Sequence, residues 1–378
     1  MKKALMLASV ASMIDQFNME NIKILQELGY EVHVLANFSF GNTTSEERTK
    51  AFRKELEEKN IKVFNVPIPR KITLLKEMVK SYKQIKKICE ENNYEILHCH
   101  SPIGGVLARL AFRKMRKKGG KLIYTAHGFH FFKGAPLVNW LIFYPIERFC
   151  ARFTDVLITI NKEDYNRAQS FKAKKIEYVP GIGIDTKAIK EIKVDRECKL
   201  KEFNINENET VLISVGELSE RKNHKVIIEA ISKINKPIKY LICGQGSKEA
   251  YLKDLCKNLN IEHKVIFTGY RTDIKELLKS SDIFCFPSKQ EGLPVALMEA
   301  MASGLPVVCS SIRGNIDLIA EGKGGYLVNY NNVEEFYKKL TLLISNIPLR
   351  EDFKKSNLNI IISYDKNIIN KKMIAIYA

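Results

Sequence analysis

Short runs of aliphatic and β-branched residues alternate with longer stretches of helical period along the whole chain. The runs KALMLA, YEVHVLA, IKVFNV, EILHCH, KLIYTAH and DVLITIN have the length and composition of buried strands. The intervals between them are long enough for helices, and this alternation predicts a parallel sheet covered on both faces. At 178–186 the segment YVPGIGIDT interrupts the pattern with a proline and two glycines, which places a domain boundary there. A second series follows: TVLISVGE, IKYLICGQG, KVIFTGY, DIFCFPS, LPVVCS and GGYLVN, with helices predicted over 224–235 and 248–260. The expected fold is α/β, with two doubly wound, Rossmann-like domains over 1–179 and 180–364 facing a central cleft. A last helix over 365–378 carries Ile368, Ile369, Met373 and Ile376 at helical spacing and needs an apolar surface to cover.

Composition agrees with this division, since 378 residues exceed what one hydrophobic core usually serves. Hydrophobic content of 45% with 28% charged residues is that of a soluble globular protein. No run reaches the roughly 18 apolar residues of a membrane span. The start, MKKALMLASVASM, resembles a short signal peptide, but the apolar run stops at Asp15 and LGYEVHVLA follows, so it reads as the first strand of the sheet. Eight cysteines are scattered without a C-x-x-C pair or zinc-site spacing, as small core residues of a reducing cytosol would be. The net charge of +18 is uneven, with 14 Lys/Arg against 4 Asp/Glu between Arg70 and Lys121. A solvated helix face accounts for any one of these lysines, but the cluster points to an anionic partner.

In open parallel sheets, ligands gather beyond the carboxyl ends of the strands, and several chemically capable residues are expected there. In CFPSKQEGLPVALMEAMASGLPVV, Glu291 follows a strand and Pro294 suits the first turn of a helix. Leu293, Leu297, Ala300 and Met301 form one apolar stripe that leaves Glu299 to one side. Carboxylates suit the vicinal hydroxyls of a sugar or ribose, and the N–H groups at the helix entrance suit a phosphate. Taken singly, Glu291 is also explained as a helix-start acid and Glu299 as a solvated side chain. SVGELSERKNH sets Gly216, Arg221 and Lys222 between a strand and a helix, a poor place for bases unless an anion binds. CGQGS, with Gly244 and Gly246, would let backbone approach a ligand, although a G-x-G alone is a weak signal. His127 in YTAHGFH can reach a substrate hydroxyl, although a lone loop histidine is more often incidental. His98 and His100 are expected to point to opposite faces of their strand, and no metal site is expected from them.

Together, E-x7-E within EGLPVALMEAMASGLPVV, VGELSERKN and GYRTDI resemble the retaining glycosyltransferases of family 4, which have the GT-B fold, over essentially the whole chain. The resemblance implies that Glu291 contacts the donor sugar, Glu299 holds the ribose, Arg221 and Lys222 bind the diphosphate, and His127 touches the sugar from the other domain. It adds donor contacts from Gly216, Gly244, Gly246, Tyr270, Gly292, Leu293 and Pro294, and an acceptor side of Ser9, Ser12, Phe17 and His100. It also implies that the final helix returns to the first domain, and that transfer proceeds with retention, without a metal or any cofactor beyond the nucleotide-sugar co-substrate. Two departures shift the expected phosphate site towards Arg221 and Lys222: LASVASMID stands in place of a glycine-rich loop over residues 9–15, and Glu217 stands where relatives carry arginine.

A uridine nucleotide is expected from the family's commonest usage. The expected acceptor is a growing glycan, polyprenyl-diphosphate-linked or soluble, in surface polysaccharide (capsule) synthesis at the cytoplasmic face of the plasma membrane. Peripheral binding to an anionic membrane would use the basic stretch, including Lys114, Arg116, Lys117 and Lys118, with the apolar run at 128–153. Within that run Phe131, Phe132 and Lys133 are expected outside, and Leu141, Ile142, Ile146 and Phe149 inside, as a core helix. Two other readings are weaker. A sugar-nucleotide epimerase of the same fold would not need the E-x7-E pattern, and a basic nucleic-acid-binding protein lacks any aromatic-interleaved basic motif here, so no nucleic-acid partner is expected.

Overall fold

Seven parallel strands make the first sheet: β1 (Lys2–Val10), β2 (Tyr30–Asn37), β3 (Lys62–Asn65), β4 (Ile96–His100), β5 (Lys121–Ala126), β6 (Val156–Thr159) and β7 (Lys175–Tyr178). Six make the second: β8 (Thr210–Val215), β9 (Ile238–Cys243), β10 (Val265–Gly269), β11 (Ile283–Phe286), β12 (Val307–Ser310) and β13 (Gly325–Val328). The computed structural model describes residues 2–378. Its chain divides into one unit running to Ile182 and taking in Asn367–Ala378, and a second unit, Gly183–Lys366. Strand order is β3-β2-β1-β4-β5-β6-β7 in the first and β10-β9-β8-β11-β12-β13 in the second. In each the order reverses once, between β1 and β4 and between β8 and β11, and a crevice opens at such a switch point beyond the strand ends. Only β7 escaped the pattern, because KIEY is an edge strand with mixed exposure rather than a buried run.

Period-two alternation along β1 assigns its residues to two cores. Leu5 and Leu7 join Leu97 and Cys99 beneath the helices Leu75–Asn92 and Pro102–Ala111. Ala4, Met6 and Ala8 face the other way, where helix Lys366–Tyr377 inserts Ile369, Met373, Ile376 and Tyr377. Ile368 lies off that row and is 38% exposed, so the covering stripe is narrower than the sequence spacing implied.

Helix Leu137–Ala151 is held to the first unit by a buried charge pair. Arg109, fully buried on helix Pro102–Ala111, lies 2.8 Å from Glu147, and its guanidinium stacks 4.0 Å over the Tyr124 ring. Tyr124 donates its hydroxyl to Glu147 (3.1 Å), and Arg109 Nε donates to the Gly105 carbonyl (2.9 Å). Gly105 is required there, since a Cβ would lie 2.5 Å from the Tyr124 ring.

The apolar run 128–153 reverses the sequence expectation at Phe131, Leu141, Ile146 and Phe149, and meets it at Lys133. Phe131 is fully buried, stacked on Phe129 at 4.7 Å and set against Trp140, Tyr144 and Phe171, while Phe132 is half-buried and Lys133 exposed. The loop is drawn inward where Phe129 N–H donates to Asp164 (3.0 Å) and Lys133 N–H to Glu163 (2.7 Å). The helix turns Trp140, Phe143 and Tyr144 to the core. Its outer face leaves Leu137 81% and Leu141 77% exposed, with Val138, Ile146 and Phe149 beside them, and Ile142 half-buried.

Candidate functional site

The switch point of the second unit brings together residues 70 positions apart. β8 ends at Val215, and the turn after it closes on Asn223, which takes a left-handed conformation (φ 57°) before helix His224–Ile231. Asn223 Nδ2 donates to the carbonyls of Pro287 (3.1 Å) and Tyr330 (2.8 Å), tying this turn to the one after β11. Lys222 folds back over Gly216 and the Phe286 ring (4.7 Å), and its Nζ reaches Glu291 Oε1 at 2.8 Å. Arg221 Nη1 lies at the same oxygen, 2.8 Å away, and also donates to the Gln290 carbonyl (3.1 Å). Arg313 Nε donates to the Glu291 carbonyl (3.2 Å).

The three charges are unequally placed. The Lys222 and Glu291 side chains are 12% and 11% exposed, whereas Arg221 is 45% exposed, so solvent screens the arginine more. His224, buried behind Lys222, has its pKa lowered to about 4 by burial and by that lysine, and it stays neutral. The site's positive charge is therefore carried by Lys222, Arg221 and Arg313, not by His224.

Glu299 stands on helix Val295–Ala302, half-buried beside the Leu297, Ala300 and Met301 stripe. Burial raises its pKa above the ordinary carboxylate value, against an opposing pull from Lys275. No hydrogen bond or ion pair to its carboxylate occurs among the described residues. A half-desolvated carboxylate of this kind is an acceptor for ligand hydroxyls. Leu293 and Pro294 are buried and floor the helix entrance, while Tyr270, after β10, is 75% exposed.

Two of the glycines have a packing reason of their own, beside the ligand approach expected of them. A Cβ on Gly244 would lie 2.0 Å from the Gly216 carbonyl oxygen, and one on Gly246 2.4 Å from that of Leu218. What the missing Cβ atoms admit is the neighbouring turn, so the β8 and β9 turns stack backbone on backbone. Gly314 (φ 83°) likewise lets its loop close on the Gly292 carbonyl, 2.4 Å from where its Cβ would stand. Arg313, Gly314 and Phe286 were not singled out from the sequence. Asn223 had a local signal, an asparagine just before a helical run, the residue type that tolerates a left-handed turn.

In the first unit the expectation for His98 and His100 fails on simple periodicity: two positions apart on a strand, they share a face. Their ring centroids are 4.2 Å apart. His98 bonds Tyr377 Oη (2.7 Å) and Thr125 Oγ1 (2.8 Å). His100 Nδ1 lies 3.0 Å from His127 Nε2, and His100 Nε2 lies 3.2 Å from Met6 Sδ. Burial lowers all three pKa values, to about 3 for His98, about 4 for His127 and well below 6.5 for His100, so the rings are neutral. His100 and His127 line a small pocket of ≈ 30 Å³ with Phe17, Asn18 and Asn370.

Ser9 and Ser12 do not join that pocket. β1 continues to Val10 and helix Ala11–Phe17 follows at once, so the segment expected as a loop over residues 9–15 is regular structure. Ser9 Oγ accepts from Ser101 Oγ (2.8 Å) and Gly104 N–H (2.9 Å), and Ser12 Oγ accepts from the N–H and hydroxyl of Thr43, both at 3.1 Å. Both hydroxyls are buried and engaged by their neighbours.

Two family descriptions match the chain: Glycosyltransferase Family 4 over residues 18–187 and Glycosyl transferases group 1 over 195–359. The chain is similar to EpsD of Bacillus subtilis (strain 168), which bears a glycosyltransferase name, at 34% identity over 348 residues, covering 90% of this chain and 87% of EpsD. It is also similar to the UDP-Gal:alpha-D-GlcNAc-diphosphoundecaprenol alpha-1,3-galactosyltransferase of Escherichia coli, at 31% identity over 291 residues and 74% of each chain. Among solved structures, Anabaena Alr3699/HepE in complex with UDP and glucose superposes with a TM-score of 0.78, at 18% identity, over 100% of this chain and 99% of the other.

Proposed function

The chain belongs to the family 4 glycosyltransferases and has their GT-B fold of two Rossmann-like domains, and on that premise we propose that it transfers a sugar with retention from a UDP-sugar to a lipid-linked glycan. The observation that carries this reading is the convergence of Lys222, Arg221 and Glu291 at the β8/β11 switch point, with the unpartnered Glu299 carboxylate one helix away. Two cations suit a diphosphate, and a desolvated carboxylate suits a ribose diol. Glu291 is assigned to a hydroxyl of the donor sugar, and His127 to a sugar hydroxyl. The Escherichia coli relative, whose acceptor is a diphosphoundecaprenol-linked sugar, favours a lipid-linked acceptor for this chain.

In the proposed reaction the acceptor oxygen attacks the anomeric carbon on the face that the diphosphate leaves. The bond from that carbon to the phosphate oxygen breaks, and the acceptor's proton passes to the departing diphosphate. Lys222 and Arg221 stabilise the negative charge that grows on the leaving group, and the first-turn N–H groups of helix Val295–Ala302, which has no side-chain cap, add to it. The test is to incubate the protein with a panel of nucleotide sugars and an undecaprenyl-diphosphate-linked N-acetylglucosamine acceptor, and to measure released nucleoside diphosphate. UDP release with retention at the anomeric carbon is expected. Glu299→Ala should weaken UDP binding by about 1.5–3 kcal/mol. Unchanged UDP affinity in that variant would remove Glu299 from the ribose site, and release of a different nucleotide would replace the donor.

A lipid-linked acceptor calls for access to a membrane surface. No helix of the described residues is long and apolar enough to cross one. The reading is instead peripheral, through the exposed ridge Leu137, Val138, Leu141, Ile146 and Phe149, with Leu74, Leu75 and Val79 near the start of helix Leu75–Asn92. Both helices pack against helix Pro102–Ala111, on one face of the sheet. Lys76 and Lys80 intervene among the exposed leucines of the first, and Arg148 and Arg152 flank the ridge of the second. Arg116 contributes less charge than expected, because it is bonded to Asp155 (2.9 Å). Sedimentation with anionic vesicles at low salt and release at high salt are expected, with Leu137→Ser/Leu141→Ser abolishing binding while leaving the fold intact. Equal sedimentation of that variant, or none by wild type, would favour a soluble acceptor.

A further inference from the structure

Two hydrogen-bond contacts in the first unit fix which way the His127 ring presents its nitrogens. His100 Nε2 faces the Met6 thioether at 3.2 Å, and His100 Nδ1 faces His127 Nε2 at 3.0 Å. A thioether sulfur has lone pairs and no proton, so it only accepts. His100 must therefore carry its proton on Nε2 and aim it at Met6, since the other tautomer would set two lone pairs against each other in a buried site. That leaves His100 Nδ1 as an acceptor, and the proton between the two histidines belongs to His127 Nε2. His127 Nδ1 is then left as a bare acceptor on a half-buried residue that lines the pocket with Phe17, Asn18 and Asn370. The depressed pKa values of His100 and His127 agree with this, because a doubly protonated ring would have no acceptor to offer.

We infer that Met6 and His100 are positioning residues that lock His127 in the Nε2–H tautomer, so that its Nδ1 accepts a hydrogen bond from a carbohydrate hydroxyl and rejects a carboxylate or phosphate oxygen. The inference rests on the proposed sugar-transfer reading only for what meets Nδ1. Donor and acceptor sugars offer the same chemistry there. A neutral sugar fits, whereas a uronic acid placing its carboxylate at that nitrogen meets a lone pair.

Nitrogen-15 NMR of histidine-labelled protein reads the lock directly, because protonated and bare ring nitrogens resonate apart. Wild type should show His127 with Nε2 protonated and Nδ1 bare. In Met6→Leu, a volume-conserving change, the His100 Nε2–H loses its acceptor. An orphaned buried N–H costs more than an orphaned lone pair, so His100 should move its proton to Nδ1 and His127 should follow to Nδ1–H. Turnover in the donor panel should then fall about tenfold in kcat/KM for Met6→Leu and His100→Phe. His100→Asn, which keeps an acceptor near the Nδ1 position, should restore most of it, and UDP affinity should be unchanged in all three. A wild-type His127 protonated on Nδ1, or a tautomer indifferent to Met6→Leu, overturns the inference. If the tautomer inverts without any change in kcat/KM, the lock stands and the sugar contact fails. Adding UDP-glucose or a short polyprenyl-diphosphate N-acetylglucosaminide separately assigns the hydroxyl to donor or acceptor by which one shifts Nδ1.

Discussion

Lys222→Ala is expected to lower turnover by about 10²–10³-fold while leaving the fold intact, because in the proposed reaction it removes an enclosed cation beside the leaving diphosphate. Lys222 is 12% exposed and fixed by Glu291 and the Phe286 ring, so its charge is preorganised and poorly screened. Arg221→Ala should cost less, since Arg221 is 45% exposed and water takes over part of its work. Loss in kcat should exceed loss in UDP affinity for Lys222→Ala, as the charge it stabilises grows only during bond cleavage. Single-turnover release of UDP from the active nucleotide sugar measures this. Wild-type turnover in the variant would move the phosphate site elsewhere, and a larger effect at Arg221 than at Lys222 would reverse the ranking drawn from exposure.

Arg109→Met is expected to destabilise the first unit by about 3–5 kcal/mol, the cost of leaving a buried partner charge unpaired. Glu147 would keep only the Tyr124 hydroxyl, 3.1 Å away, in a site 7% exposed. Arg109→Met/Glu147→Leu should recover most of the loss, because replacing the whole pair by apolar groups of similar size removes the stranded charge. Thermal unfolding followed by hydrogen exchange in helix Leu137–Ala151 checks both. Equal stability of the single variant and wild type would show that the pair contributes little. The result bears on function as well, since this pair seats the helix that carries the exposed apolar ridge.

The candidate site was partly legible in the sequence, and the reasons differ from residue to residue. Glu291, Arg221 and Lys222 stood out because they lie at strand-to-helix junctions, where an open parallel sheet gathers its ligands, and Glu299 because it lies off its helix's apolar stripe, eight residues from Glu291. That Glu291 bonds both cations was not legible, since the partners are about 70 residues apart and nothing local encodes the contact. Gly244 and Gly246 were visible as a G-x-G, yet their purpose, stacking one turn on the next, depends on where the β8 turn lies in space. His98 and His100 were legible in principle: the strand period puts them on one face, and the expectation of opposite faces misapplied it.

The sequence by itself determined every strand but the edge strand β7, their parallel arrangement and the surface-seeking last helix, because buried strands and amphipathic helices declare themselves through the period of their apolar residues. Tertiary structure alone decided which face of an all-apolar segment goes inside. Phe131 and Leu141 are both hydrophobic, yet the first packs among Phe129, Trp140, Tyr144 and Phe171 in a loop tied to Asp164 and Glu163, and the second lies on the outer face of the helix that the Arg109–Glu147 pair seats. The same holds for the protons of His100 and His127, whose positions follow from a methionine some 94 residues away from His100 that the fold alone brings to its ring. Local pattern fixes what a segment is, whereas hydrogen bonds and charge pairs between distant segments fix which of its surfaces the solvent meets.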